Sequence, residues 1–209
     1  MVQDSRPRVW REVPSIKYQL KSARFPAYRD LAGFRFEHVA VDVALVKSLH
    51  ACEFVEQAHN VVLIGSPGPG QTHLATAVGA QVVMHHHLRV RFFSTIELVN
   101  LRESVKVSSK HGQIANRLAH ADLVIVDELS ELPVSRAGSA LLFDLLSRHC
   151  ERTSVVITTT LSLSKWASVF GDPKMTAALL DRFNHLCHIV ETGNDGDRFK
   201  NRSIHPGRE

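Results

Sequence analysis

The chain has 209 residues, 44% of them hydrophobic and 22% charged, with a formal net charge of +4. That is apolar material for one ordinary folded domain, too short for two full-sized ones and too hydrophobic for a disordered chain. No run approaches the roughly 18 uncharged apolar residues of a membrane span, and Met1-Val2-Gln3-Asp4-Ser5-Arg6-Pro7 lacks the apolar core of a secretion signal. The expectation is a soluble, cytoplasmic protein without a membrane partner.

The charge is concentrated at the start. Through residue 36, eight cations (Arg6, Arg8, Arg11, Lys17, Lys21, Arg24, Arg29 and Arg35) face three acids (Asp4, Glu12 and Asp30), a local net of +5. Such a segment suits a DNA phosphate backbone without reading bases, because each cation that displaces a counterion adds salt-sensitive affinity. A solvated leader has the same composition. Pro7, Pro14, Pro26 and Gly33 break any long helix, so residues 1–38 read as irregular.

From Val39 to Ala58 apolar residues recur near helical spacing, with Asp42 as a cap. Short apolar runs then alternate with helical stretches. Strands are expected at Val61–Ile64, Val90–Phe93, Leu123–Val126, Val155–Ile157 and, more weakly, His188–Val190. Helices are expected from about Thr72 to His87, from Ser94 with Glu97 completing a capping box, and from about Arg136 to Glu151. Continuous apolar strands alternating with helices predict a parallel sheet covered on both faces, a three-layer α/β/α fold.

Between the first strand and its helix lies Gly65-Ser66-Pro67-Gly68-Pro69-Gly70-Gln71-Thr72. It fits G-x-x-x-x-G-K-[ST] at every defining position except the lysine, which is Gln71. Glycines let backbone N–H groups turn inward as an anion nest, and the helix N-terminus adds partial positive charge. Thr72 is placed to put a hydroxyl on Mg²⁺. Glutamine offers phosphate only neutral hydrogen bonds, worth about 1 kcal/mol against roughly 1.5–3 for charged ones. The difference is on the order of tenfold in affinity, and hydrolysis should suffer more than binding.

Leu123-Val124-Ile125-Val126-Asp127-Glu128 is an apolar run ending in two carboxylates. A buried strand of an open α/β sheet delivers its C-terminal side chains to the ligand crevice. Asp127 is then a candidate for holding Mg²⁺ and Glu128 for orienting and deprotonating water. A solvated acidic turn is the bland alternative.

Asn60 to Leu74 (NVVLIGSPGPGQTHL), Ala121 to Pro133 (ADLVIVDELSELP) and Phe170 to His185 (FGDPKMTAALLDRFNH) together resemble the IstB-like ATP-binding proteins. These are AAA+ P-loop helper ATPases of insertion sequences, related to the DnaC helicase loaders. The resemblance implies ATP and Mg²⁺ as cofactors and a homo-oligomer that binds DNA and assists a transposase. The resemblance covers roughly Lys17 to Arg202, and with composition it gives a basic irregular segment 1–38, an AAA+ domain 39–192 and a polar tail 193–209. Carried over, Gly65, Pro67, Gly68, Gly70, Gln71, Thr72 and His73 line the nucleotide, Thr72 and Asp127 support the metal, and Glu128 is the general base. Arg182 matches an arginine reaching a neighbouring subunit's nucleotide, Arg198 resembles a second sensor arginine, and Thr160 stands where a polar sensor, commonly asparagine, closes the fourth strand. Gln71 and Thr160 both depart from the family pattern and imply impaired hydrolysis. A helicase loader or a non-catalytic DNA-binding remnant are the alternative readings.

Other features read as structural. Cys52, Cys150 and Cys187 are odd in number and lack C-x-x-C spacing, so three core thiols are expected rather than disulfides or zinc. His85-His86-His87 cannot converge on one ion, since consecutive helical residues diverge by about 100°; a solvated helix end is expected. Ser108–Gly112 reads as a polar connector or a DNA-touching loop, and Trp166 with Phe170, four apart, as core.

Overall fold

The computed structural model describes residues 15–66, 68–98, 118, 120–130, 139, 142, 143, 146, 147, 153–185 and 187–193. Five strands form one parallel sheet in the order β2-β3-β4-β1-β5: β1 Asn60–Gly65, β2 Val90–Ser94, β3 Leu123–Leu129, β4 Ser154–Thr159 and β5 Cys187–Thr192. All five expected strands are present, each longer than its apolar run. The extensions matter, because they carry Asp127, Glu128, Thr158, Thr159 and Thr192 to the C-terminal edge.

Side-chain alternation divides the strands between two cores. Val61, Leu63, Ile125 and Val156 face one cluster, which helices α1 (Ile16–Ala23), α2 (Val43–His50) and α4 (Pro69–His86) cover. Val62, Val126, Val155 and Ile157 face the other, with Leu98, Leu142 and Leu146. Helices α5 (Trp166–Phe170) and α6 (Pro173–His185) complete that layer. The arrangement is the expected three-layer α/β/α fold. Each fully buried Leu, Ile or Val contributes about 1.5–3 kcal/mol, so both layers are needed. Among the described residues, no helix is long and apolar enough to cross a membrane.

Local chemistry sets the helix ends. Asp42 caps α2, its Oδ1 accepting from the Ala44 and Leu45 amides at 2.9 and 3.1 Å. Asp172 caps α6 in the same way through the Lys174 and Met175 amides. Ser94 and Glu97 form the expected capping box, each side chain accepting from the other's backbone N–H at 3.2 and 3.1 Å. Helix α4 has no side-chain cap: Gly68 precedes it and Pro69 opens it. Midway along α4, a Cβ on Gly79 would lie 2.8 Å from Ile125 Cδ1 and 2.9 Å from Phe25, so glycine there lets the helix settle onto β3.

Two expectations are corrected. The helical pattern from Val39 to Ala58 is not one helix. Cys52 adopts a left-handed backbone (φ 67°) between α2 and α3 (Glu53–Glu56), which turns Phe54 and Val55 inward. The stretch read as irregular through residue 38 contains α1, capped by Ser15 and ended by left-handed Arg24. Its apolar residues are core: Ala23 is fully buried, and Leu20, Phe25, Leu31 and Phe36 pack against the same cluster. Composition hid it: the helix is only eight residues long and lies between Pro14 and Pro26 in a densely charged stretch. Among the thiols, Cys52 is buried but Cys187 is half-exposed, and neither forms a disulfide among the described residues; Cys150 lies outside the described residues. Trp166 is fully buried and meets Phe170 edge-on, as expected.

Candidate functional site

In this strand order the chain leaves β1 toward one side of the sheet and leaves β4 toward the other, which opens a crevice at the C-terminal ends of β1 and β4. The Gly-rich turn lies there. Gly65 ends β1 against β5: a Cβ would collide with the Thr192 hydroxyl and carbonyl and stand 2.8 Å from Gln71 Nε2. Gly68 is extended (φ 174°) and precedes α4, whose first amides therefore lack a side-chain acceptor and present the helix's partial positive charge. Gly70 sits in the first turn, with Val39 and Phe34 about 3.5 and 3.8 Å from where its Cβ would be. Pro67 lies outside the described residues.

One turn into α4 the structure brings together residues 55 positions apart. Thr72 Oγ1 donates to Asp127 Oδ1 at 3.0 Å and Oδ2 at 3.2 Å. The Thr158 hydroxyl donates to Asp127 Oδ1 at 2.5 Å and accepts from the Glu128 amide at 2.9 Å. Thr95 Oγ1 donates to the Asp127 carbonyl at 3.1 Å. Asp127 is thus a nearly buried carboxylate whose desolvation is offset by two hydroxyl donors. A carboxylate and a hydroxyl at this separation form an oxygen donor set that fits a hard divalent cation such as Mg²⁺.

Glu128 points the other way. A register shift between Val126 and Leu129 and a left-handed backbone at Glu128 (φ 62°) interrupt the alternation of β3, leaving Asp127 buried and Glu128 exposed. A bulge of this kind re-aims one side chain at the cost of local strain. The two carboxylates therefore occupy different environments: one against α4, one open to solvent.

Gln71 departs from expectation. Its amide sits beside Gly65 and is engaged by the sheet edge; the residue is 7% exposed, and Nε2 donates to the Thr159 carbonyl and to Thr192 Oγ1, both at 3.2 Å. Thr192 Oγ1 in turn donates to the Ile64 carbonyl at 3.3 Å. One side chain thus joins the ends of β4, β5 and β1 to α4. The reason is the obligation of a buried amide to find acceptors, and the open Gly65 Cα leaves room for it.

His73 is corrected as well. Its Nε2 lies 2.7 Å from the Asp30 carbonyl and its ring stands edge-on to Phe34 at 5.3 Å, so it binds the N-terminal segment to α4 rather than the turn. Thr160 is exposed just beyond β4, whereas the hydroxyl that meets Asp127 belongs to Thr158. Thr158, Thr95 and Thr192 were not singled out from sequence. The run Thr158-Thr159-Thr160 at the end of an apolar strand was the available signal, since alternation sends Thr158 and Thr160 to the same face. Arg182 lies within α6, its side chain outside the description, and Arg198 lies outside the described residues. His85, His86 and His87 end α4, and among the described residues no group of three or more His, Cys, Asp or Glu is placed to hold a metal ion.

The family model described as IstB-like ATP binding protein matches residues 3–205. A Pseudomonas aeruginosa protein named for ATP binding and for insertion sequence IS21 is 33% identical over 185 residues, covering 88% of this chain and 69% of its own length. A Bacteroides fragilis protein named as IS21-like is 30% identical over 92% of this chain and 73% of its own. In fold, the chain is similar to the crystal structure of the DnaC helicase loader, with a TM-score of 0.60 at 16% identity, covering 71% of this chain and 86% of that one.

Proposed function

The chain belongs to the IstB-like ATP-binding protein family, and from that premise we propose that it binds Mg-ATP at the crevice beside β1, binds DNA, and assists a transposase in the cytoplasm as a homo-oligomer. The observation that carries the reading is the Thr72–Asp127 pair, 3.0 Å apart beneath the uncapped start of α4. The α4 amides and the Gly65–Gly70 turn would take the phosphates. Thr72 and Asp127 would hold the metal, which when bound neutralises phosphate charge. Thr158 keeps the Asp127 carboxylate oriented, and exposed Glu128 is the group free to orient and accept a proton from water. Arg182 would reach a neighbouring subunit's nucleotide, Arg198 would act as a second sensor, and Thr160 would face the terminal phosphate. With Gln71 engaged by Thr159 and Thr192, no lysine charge meets the phosphates, and hydrolysis is slow relative to binding.

Titration calorimetry tests this. Saturable Mg-ATP binding is expected, lost in Thr72→Ala; a flat titration at millimolar nucleotide would end the proposal. The engagement of Gln71 also favours a second reading, a non-catalytic DNA-binding module. It requires equal DNA affinity with and without ATP, whereas the first requires ATP to promote assembly on DNA.

A further inference from the structure

The amide nitrogen of a glutamine carries two protons, and in Gln71 both are engaged. One goes to the Thr159 carbonyl and the other to Thr192 Oγ1, each at 3.2 Å. The partners fix which end of the amide is nitrogen. A backbone carbonyl only accepts, and Thr192 gives its own proton to the Ile64 carbonyl at 3.3 Å. The other end, Oε1, is an acceptor and repels a phosphate oxygen. The side chain at position 71 therefore offers a bound nucleotide no donor, although Nε2 stands 2.8 Å from where a Gly65 Cβ would be. Turning it toward a phosphate would break two bonds of a residue that is 7% exposed.

The turn still has its backbone. In a loop of this spacing the N–H groups cradle the α- and β-phosphates, while the side chain at the lysine position extends to the β- and γ-phosphates. The cradle is present as the uncapped first turn of α4 behind Gly68; the extension is not. The facing strand end is acidic, with Asp127 3.0 Å from Thr72 and Glu128 exposed after it. A third phosphate thus brings negative charge toward two carboxylates and gains no donor from position 71. We propose that Gln71 makes this a site for the diphosphate part of a nucleotide, one that takes ADP as well as ATP and leaves the terminal phosphate unread. This deepens the nucleotide-binding reading above and rests on it. Its consequence is that ADP supports assembly on DNA as ATP does, so that hydrolysis would not reverse assembly.

Calorimetry of the wild-type chain with AMP, ADP and ATP, each with excess Mg²⁺ and without DNA, tests this. Affinity should rise about tenfold or more from AMP to ADP, the order of one charge-assisted bond, and then stay within about threefold on going to ATP. Gln71→Lys should restore a preference for ATP over ADP of about tenfold. Gln71→Leu removes both bonds, supplies no donor and should keep the wild-type ratio; it tests the same point where the lysine variant does not fold. A wild type that binds ATP more than about threefold tighter than ADP overturns the inference, whatever residue supplies the contact, and leaves the Mg-ATP site standing. A Gln71→Lys ratio equal to that of the wild type, or an ATP preference gained in Gln71→Leu, overturns it too. A wild type that binds AMP as tightly as ADP, or none of the three, overturns this inference and the phosphate-binding turn together.

Discussion

Gln71 permits a quantitative test, because the same side chain should affect the nucleotide-free and nucleotide-bound proteins in opposite directions. Gln71→Leu conserves volume and deletes both bonds of the buried amide, to the Thr159 carbonyl and Thr192 Oγ1. At about 1 kcal/mol each, the loss is about 2 kcal/mol. For a chain of 209 residues that lowers the melting temperature by roughly 4–8 °C without nucleotide. Gln71→Lys behaves differently. Without nucleotide an ammonium at this site is desolvated beside two neutral oxygens and destabilises the fold. With Mg-ATP the ammonium makes a charged bond to phosphate that the glutamine amide, held by Thr159 and Thr192, does not make, about 1.4 kcal/mol or tenfold in Kd. The same increment appears as added ligand-dependent stabilisation at saturation, roughly 3–6 °C. Thermal melts with and without Mg-ATP, paired with calorimetry, read both quantities. The reasoning fails if Gln71→Leu melts with the wild type, since the amide would then hold nothing. It also fails if Gln71→Lys binds ATP no more tightly.

Glu128→Gly should raise stability while abolishing any ATP turnover: relief of the left-handed backbone at φ 62°, about 1–2 kcal/mol, exceeds the glycine penalty of about 0.5–1. A melting temperature about 2 °C higher is expected, and a lower one refutes the strain. Gly65→Ala drives a Cβ into the Thr192 backbone and should cost about 1–3 kcal/mol or more in urea unfolding, because strand β5 must move. Acid should also weaken the fold. His188 is held below its ordinary value of 6.5 by burial and then by His59, and His50 by burial and then by His85. Their stabilising contribution is complete above pH 6.5 and is lost as pH falls through the depressed values, since the unfolded chain binds protons first. Urea midpoints should therefore fall on mild acidification, less steeply in His188→Gln; an unchanged slope would exclude it. Cys52, pushed up to about 12 by burial, should resist alkylation that modifies half-exposed Cys187 in a Cys150→Ser background, as mass spectrometry would show.

The layer order was legible because five apolar runs separated by helical stretches admit few topologies, and the turn from Gly65 to Thr72 can follow only one of those strands. The pairing of Thr72 with Asp127 was legible for the same reason: each follows a strand of known direction, and parallel strands put their ends on one edge. Partners of the polar side chains were not. Gln71 was read by its position in a motif, yet a buried amide goes where acceptors are, and Thr192 lies 121 residues away in sequence. His73 was likewise captured by Asp30 and Phe34, which belong to a segment whose proline and charge content hid an eight-residue helix. Thr158 was concealed by a pattern that singled out Thr160; only the observed register of β3 against β4 decides which hydroxyl faces Asp127.

These hydroxyls also explain how a site can keep its carboxylate without its lysine. A buried Asp127 that relied on a cation at position 71 would be left uncompensated by glutamine and would destabilise the sheet edge. Here Thr72 and Thr158 supply donors directly to the carboxylate, and Thr95 satisfies its carbonyl. The glutamine is meanwhile satisfied by Thr159 and Thr192. Among the described residues the acid and the amide therefore belong to separate side-chain hydrogen-bond sets, adjacent along the backbone of α4 and β4. Substitution at position 71 is expected to alter phosphate affinity without disturbing the orientation of Asp127, and substitution at Thr158 to disturb Asp127 and the Glu128 amide while leaving Gln71 in place. Double-mutant cycles between the two positions should show additivity within about 0.5 kcal/mol. A larger coupling would mean that the two sets act as one and that the lysine-to-glutamine difference reaches Thr72 and Asp127, the proposed metal ligands.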